Sequence, residues 1–316
     1  MTTFCSSFAP HLIHYVELRR GLGFCVGTQV QVLRAFDRFV ADQHPGAPLT
    51  QTLALDFAAH GDHDSAALAA RRYHVVRLFA NYVATFEPAT PLFNPHALTM
   101  PRHKPPPYIY SPEELARLLA GTAHVSARHP LRGVTLHAMI GLAASSGLRI
   151  GEVAALDGTD VDLATGVLAI RRSKFNKDRL VPVHPTTRAT LQAYAAQRDA
   201  AFSMPRSPAF FLQQRGGRFS KHTIQMSFWE LTRTVGLRGD TGKGPRFHDL
   251  RHTFAVRRLT AWYAAGLDVQ ALLPSLATYL GHGHYTDTAW YLTATPELLS
   301  LAAARAERAM AREAAP

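Results

Sequence analysis

The sequence predicts a mainly α-helical protein of two domains, the second of which contains a small antiparallel sheet. Three observations support this prediction. Apolar residues recur at helical spacing over most of the 316 residues. Seven prolines interrupt that pattern at residues 88–107, and residues 159–183 change to the alternation of short strands. At ~100–200 residues per domain, the length also suits two domains.

The composition excludes several classes of protein. Hydrophobic residues make up 47% and charged residues 18% of the chain, which is typical of a folded globular protein and not of a disordered one. No uncharged apolar stretch reaches the ~18 residues that cross a bilayer, and the N-terminus lacks the layout of a signal peptide. The two cysteines, Cys5 and Cys25, form no disulfide framework or zinc set. We therefore expect a soluble, cytoplasmic protein that does not cross a membrane.

The charge of the chain points to a polyanionic partner. Lysine and arginine number 34 against 23 aspartates and glutamates, a formal net charge of +11. Nucleic acid or an acidic membrane surface would complement such an excess.

The first domain, residues 1–100, is predicted to be a helical bundle. Its clearest helix begins at a capping Ser65 and places Val75, Val76 and Phe79 on one apolar face, and an earlier helix begins near Thr28. Basic side chains lie mostly off these apolar faces. They are either an ordinary solvated surface or, taken together, a patch that faces nucleic acid.

A linker, residues 101–110, precedes the second domain, residues 111–316. That domain opens with Ser111-Pro112-Glu113-Glu114, which has the pattern of a capping box. A helix from Leu131 is expected to end at Gly147, and the short strands follow it. Further helices are expected at residues 187–201, 220–235, 247–265, 269–280 and from 296 to the end.

Four separated segments of the second domain hold polar groups that DNA binding alone does not require. They are SSGLRIGEVAAL with Arg149, RRSKFNKDRLVPV with Lys174, FHDLRHTFA with His248 and Arg251, and YLGHGHYTDTAWYL with His282 and Tyr291. In order, wording and spacing they resemble the tyrosine recombinase (phage integrase) family, whose signature is Arg, Lys, His-x-x-Arg, His and a nucleophilic tyrosine. The resemblance is strong over residues 108–295, and some of the wording is similar to recombinases of mobile elements.

The resemblance implies a fold and a reaction. The fold would be a helical, SAM-like core-binding domain and a catalytic domain with a small antiparallel sheet, closing around duplex DNA as a clamp. The reaction would be site-specific recombination or integration through a 3′-phosphotyrosyl intermediate, without ATP, metal or cofactor. A type IB-like topoisomerase and a non-cleaving DNA-binding accessory protein are the alternatives.

The residue types also suit this chemistry without the family. Cleaving a phosphodiester without a metal takes a nucleophile, cations around the phosphate and an acid for the leaving oxygen. Arg149, at a helix start, could clamp two phosphate oxygens or simply pair with Glu152. The resemblance makes Arg149 the clamp and Glu152 its support.

His248, Arg251 and His252 stand at i, i+3 and i+4 and share one helix face. The alternative is a zinc site like H-E-x-x-H, but Asp249 replaces the glutamate and an arginine lies between the histidines, so no metal is expected. The resemblance makes His248 and Arg251 the active pair and leaves His252 as a residue packed behind them.

Tyr291 lies nine residues beyond His282, at the spacing of the family's nucleophile, whereas Tyr279 and Tyr285 do not. A buried core tyrosine is the alternative reading of Tyr291. A phenol with an ordinary pKa of ~10 is mostly protonated at neutral pH, so attack requires a cationic pocket. Arg149, Arg251 and His282 could provide it, and the resemblance makes His282 the second phosphate-binding histidine.

Lys174 lies in the turn of the predicted strand pair, on a flexible side chain that could deliver a proton to a 5′-oxygen. Lys177 could do the same, and the family pattern favours Lys174. The neighbouring arginines, including Arg179, are expected to contact a groove or phosphates. The stretch between Arg251 and His282 is longer than in typical members.

The expected partners are double-stranded DNA, further copies of the chain in a tetramer on paired sites, and other recombinases of the same element. No membrane partner is expected, and the protein would associate with the nucleoid. After Tyr291, a helix capped at Thr295 carries an apolar face beginning at Leu298. This helix either folds back on its own domain or docks into a neighbouring subunit.

Overall fold

The computed structural model describes residues 4–24, 26–61, 65–99, 107–125, 130–171, 178–239, 242–293 and 295–313. The chain divides into two compact units, residues 1–105 and 106–316. Each unit has its own buried apolar core. None of the helices in the described ranges is long and apolar enough to span a membrane.

Helices build the first unit. They are α1 (Ala9–Gly21), α2 (Gly27–Gln43), α3 (Gln51–Ala59) and α4 (Ala66–Val83). The Ser65 hydroxyl accepts the backbone N–H of Leu68 and caps α4, as its sequence predicts. Apolar faces from all four helices meet around Leu33, Phe36 and Phe79, which are fully buried.

The proline-rich segment, as far as the structure describes it up to residue 99, packs into the core of the first unit. Phe93 is buried in the core, the Tyr73 hydroxyl donates to the Asn94 carbonyl at 2.7 Å, and the Asn94 N–H donates to Gln51 at 2.7 Å. The prolines predict an extended connector here. The apolar surface of Phe93 instead makes packing favourable.

The second unit is helical with one sheet. Its helices are α5 (Pro112–Gly121), α6 (Pro130–Ser146), α7 (Ile150–Ala155), α8 (Pro185–Ala201), α9 (Lys221–Thr234), α10 (Asp249–Ala264), α11 (Val269–Leu280), α12 (Thr286–Ala289) and α13 (Pro296–Glu313). Ser111 and Glu114 form the predicted capping box at the start of α5. The buried Tyr110 fixes the entry to this unit, because its backbone N–H donates to Thr253 of α10.

Three short strands form the predicted antiparallel sheet, in the order β1 (Val161–Asp162), β2 (Val167–Ile170) and β3 (Arg179–Pro182). Leu168 and Val181 face each other across β2 and β3 and are both fully buried. One face of the sheet therefore belongs to the core. The predicted fold class, mainly α with a small antiparallel sheet, is confirmed.

Helix α10 makes the main packing contacts in the C-terminal part of the second unit. It packs against α6 on one side and against α13 on another. Leu298, near the start of α13, is fully buried with Phe254 and Leu259 of α10. The C-terminal helix thus buries Leu298 against its own domain. This is the fold-back arrangement, the first of the two that the sequence allows.

Candidate active site

The structure brings five of the six predicted site residues to one place, where the ends of α6 and α11 meet the start of α10. These residues are Arg149, His248, Arg251, His282 and Tyr291. Lys174, like Lys177, lies outside the described residues.

Arg149 reaches this place because α6 ends sharply before it. Gly147 takes a left-handed conformation with φ +65°, and Arg149 then caps α7 with extended backbone. Its guanidinium donates through Nη1 to Glu152 at 2.9 Å and through Nη2 to the Gly281 carbonyl at 2.9 Å. Arg149 therefore forms the ion pair with Glu152 and also lies beside the other predicted site residues.

Glu152 binds a second arginine, to which the sequence assigns a different role. Arg179 of β3 donates two parallel hydrogen bonds of 3.0 Å to the Glu152 carboxylate and a third to the Tyr279 carbonyl. The Arg179 side chain is only 10% exposed, so the expectation that it contacts a groove or phosphates is wrong. Burial alone would raise the pKa of Glu152, but hydrogen bonds and charges from Arg179 and then Arg149 outweigh it and lower the pKa.

Arg251 is almost completely buried, at 1% exposure. It donates to the Gly147 carbonyl and to the Leu280 carbonyl, both at 2.8 Å. Arg149 approaches the same Leu280 oxygen at 3.4 Å, so two guanidinium groups converge on one carbonyl. Burial, followed by the charge of Arg149, lowers the pKa of Arg251 to about 10.

Tyr291 lies in a short 3-10 helix, residues 290–293, and is 3% exposed. It belongs to the apolar cluster of α10 and α11, as a buried core tyrosine would, and its hydroxyl still lies beside the predicted site residues. Burial raises the pKa of Tyr291, while the charge of Arg251, a hydrogen bond with Arg251 and the charge of Arg149 act to lower it. The cations that a forming phenolate would need are therefore in place around this hydroxyl.

The other two tyrosines of this segment are placed differently. Tyr285 is 59% exposed. Tyr279 donates its hydroxyl to the Pro182 carbonyl at 3.0 Å and stacks on Phe254.

His282 follows a left-handed Gly281 that ends α11 with φ +69°. Its Nδ1 shares a hydrogen bond of 2.6 Å with the buried Thr288, and its ring stacks on the Tyr291 ring with centroids 6.3 Å apart. Burial, then the charges of Arg251 and Arg149, lower the pKa of His282 to about 4. The long stretch after Arg251 folds as most of α10 and all of α11, and it places His282 at the site.

His248 and His252 flank Arg251 on α10, with ring centroids 4.7 Å apart in an edge-to-face arrangement. Partial desolvation, followed by Arg251, lowers the pKa of His248. His252 does more than pack, because its Nδ1 lies 2.9 Å from the Tyr291 hydroxyl. Sequence reasoning missed this contact, although the four-residue spacing from His248 placed His252 on the correct face. In the described parts of the chain, no group of three or more His, Cys, Asp or Glu residues is arranged to hold a metal.

Comparisons with known proteins agree on one family. The model of the phage integrase family matches residues 111–297. The integrase/recombinase y4rE of Sinorhizobium fredii is 47% identical over 306 residues, covering 97% of this chain and 98% of that protein. Tyrosine recombinase XerC of Chlamydia pneumoniae is 32% identical over 203 residues, covering 64% of this chain and 59% of that protein.

A solved structure gives the same result for the fold. The Tn1549 transposon integrase, in complex with transposon right end DNA, matches with a TM-score of 0.66 at 17% identity. The match covers 96% of this chain and 99% of that one. At this identity the likeness concerns the fold.

Proposed function

The chain belongs to the phage integrase family, and on that premise we propose that it is a site-specific DNA recombinase whose nucleophile is Tyr291. The convergence of Arg149 and Arg251 on the Leu280 carbonyl, beside the buried Tyr291 hydroxyl, carries this proposal. The charges of Arg251 and Arg149 each act more strongly on the Tyr291 hydroxyl than the opposing charge of Asp287 does, which leaves the hydroxyl in a positive environment. A positive, desolvated pocket next to a hydroxyl suits a phosphodiester as substrate.

Each site residue has a role in this reaction. Arg149 and Arg251 bind the non-bridging oxygens of the phosphate, and the charge that these oxygens gain in the transition state strengthens both contacts. His248 and His282 contact the same phosphate from either side. Lys174 protonates the leaving 5′-oxygen.

The bonds exchanged in the reaction balance without an energy source. The Tyr291 oxygen bonds to phosphorus, the bond from phosphorus to the 5′-oxygen breaks, and the product is a 3′-phosphotyrosyl link with a free 5′-hydroxyl. Attack by the 5′-hydroxyl of another strand reverses these steps and joins the new ends. The arginines and histidines provide the charge stabilisation, so the reaction proceeds without ATP or a metal ion.

The partners follow from the reaction. Double-stranded DNA is the substrate, and the net charge of +11 supports its binding. Exchange between two duplexes requires cleavage of every participating strand, and each chain carries one Tyr291, so copies assemble as a tetramer on paired sites. Other recombinases of the same mobile element are further partners of this assembly.

Covalent capture tests the function. Wild-type protein is incubated with fragmented genomic DNA, denatured, and the attached strand is sequenced to give the target site. We expect an adduct from the wild type and none from Tyr291→Phe, which deletes only the nucleophilic oxygen, with DNA binding retained. Tyr285→Phe, which changes an exposed tyrosine of the same segment, is the matched control. An adduct that persists in Tyr291→Phe would show that the nucleophile lies elsewhere.

A further inference from the structure

The Tyr291 hydroxyl must lose its proton as its oxygen bonds to phosphorus. A residue that accepts this proton would be a further catalytic residue, and its identity rests on the function proposed above. We infer that His252 is this general base and that it accepts the proton through Nδ1.

Geometry is the first argument. His252 Nδ1 lies 2.9 Å from the Tyr291 oxygen, within the range in which a proton passes directly between two groups. The ring is fixed by edge-to-face packing against His248 at 4.7 Å and against Trp290 at 5.8 Å. His252 directly follows Arg251 in the first turn of α10, so one helix carries both the base and the phosphate-binding cation.

The two arginines and the second histidine beside Tyr291 are poorly suited to accept a proton. Arg149 and Arg251 carry only hydrogen-bond donors. His282 stacks on the Tyr291 ring with 19° between the planes, and its Nδ1 is engaged with Thr288. Among the described residues, His252 combines a direct hydrogen bond to the hydroxyl with an imidazole nitrogen that can be protonated.

Electrostatics keep this imidazole in its basic form before the reaction. Burial lowers the pKa of His252 to about 4, and His248, Arg246 and Arg251 act in the same direction against the opposing charge of Asp249. His252 is therefore neutral at neutral pH and can offer a lone pair. A phosphate bound at Arg251 offsets one of the charges that lower this pKa, so substrate makes the imidazole more basic when the proton is transferred.

The proton transfer balances with the bond changes. The Tyr291 O–H bond breaks as the oxygen–phosphorus bond forms, and the proton moves to Nδ1 to give an imidazolium. The electron pair of the broken phosphorus–oxygen bond stays on the 5′-oxygen, which is protonated by the general acid. In the rejoining step the imidazolium returns its proton to the departing Tyr291 oxygen, as microscopic reversibility requires.

Two substitutions separate a base from a residue that only positions the hydroxyl. His252→Asn retains a hydrogen-bonding atom near the position of Nδ1 but cannot take a proton, and His252→Ala leaves space for added imidazole. The assay is the single-turnover rate of adduct formation on a nicked duplex of the captured sequence, with DNA affinity and Tm measured separately. His124→Asn, which changes an exposed histidine of the same domain, is the matched control.

We expect both His252 variants to form adduct about 100-fold more slowly or worse, with DNA affinity unchanged. Imidazole should restore the alanine variant, and more basic substituted imidazoles should restore it faster. A wild-type rate in His252→Asn would overturn the inference while leaving the proposed function intact. If the wild type itself forms no adduct, the proposed function fails, and the inference fails with it.

A measurement on the folded wild type covers the case in which the variants do not fold. Nitrogen NMR of the histidine rings reports which nitrogen carries the proton. We expect the Nδ1 resonance of His252 to be that of an unprotonated nitrogen at neutral pH and to shift in Tyr291→Phe. A protonated Nδ1 would make His252 a donor to the hydroxyl and would exclude it as the base.

Discussion

Glu152 joins two arginines that come from different elements of the second unit. Its buried carboxylate holds Arg149, which follows α6, and Arg179, which belongs to β3. Because these arginines lower its pKa, the carboxylate contributes stability that is fully present above its unfolded pKa of ~4.3. That contribution is lost as the pH falls through the lower pKa of the folded state.

We expect Glu152→Gln to lower the free energy of unfolding by about 3–5 kcal/mol at neutral pH, because it leaves two largely buried guanidinium groups without their carboxylate. Urea denaturation measures this loss. Glu230→Gln, which breaks an exposed pair with Arg132, should cost less than ~1 kcal/mol. The difference between wild type and Glu152→Gln should shrink below about pH 4. Equal losses from the two substitutions would contradict this account of Glu152.

Motif spacing could predict some site residues and not others. Arg149, Arg251 and Tyr291 are recognisable because the order and spacing of their segments resemble the signature of the phage integrase family. Arg179 and His252 take their roles from partners 27 and 39 residues away, and no local pattern records such pairs. Their roles follow from the tertiary structure alone.

Two helix ends place the site residues. Gly147 ends α6 and Gly281 ends α11, and both are left-handed. A Cβ on Gly147 would lie 2.7 Å from the Phe254 ring, and one on Gly281 would lie 2.7 Å from the Arg179 guanidinium. Only glycine therefore lets these chain reversals approach their neighbours so closely.

We expect Gly281→Ala to slow adduct formation at least about tenfold at a temperature where the variant is folded, because the Cβ displaces Arg179 and the adjoining His282. Gly266→Ala is the control, since Gly266 has a similar φ of +70° but faces open space. It should lose about 1–2 kcal/mol of stability from backbone strain and keep its cleavage rate. If both variants cleave equally well, the close approach at Gly281 has no part in the chemistry.

The helices of the second unit are predictable because their signals are local. Capping side chains such as Ser111 and the stop at Gly147 are read directly from the chain. The packing of α13 on α10 is not predictable in this way. The sequence shows that α13 has an apolar face, but this face could be buried either on its own domain or on a neighbouring subunit. Only the structure assigns Leu298 to its own domain.

The whole molecule consists of two units that each bury a separate core. The proline-rich break and the change of pattern beyond it predict this organisation, because each core needs its own continuous run of apolar faces. The boundaries of the two units are less predictable, because the buried Phe93 and Tyr110 lie in or next to the stretch in which the prolines interrupt the helical pattern.

We expect a fragment of residues 106–316 to fold alone, with a Tm within a few degrees of the corresponding transition in the full chain, because its core is complete without the first unit. Circular dichroism melts of the two proteins measure this. The fragment should bind DNA more weakly and with a shallower dependence on salt, since it lacks the basic residues of the helical bundle. A fragment that remains unfolded would show that the second core depends on the first.

The Leu280 carbonyl has a consequence for discrimination between ligands. In the free protein this neutral oxygen occupies guanidinium donors of Arg149 and Arg251. An incoming oxygen that takes one of these donors exchanges with the carbonyl, and an anionic oxygen forms a stronger hydrogen bond to a guanidinium than a neutral carbonyl does. Water and uncharged nucleic-acid backbones therefore replace the Leu280 carbonyl less readily than an anionic phosphate does. We expect DNA with a neutral methylphosphonate linkage at the cleaved position to bind these two guanidinium groups more weakly than DNA with a natural phosphate.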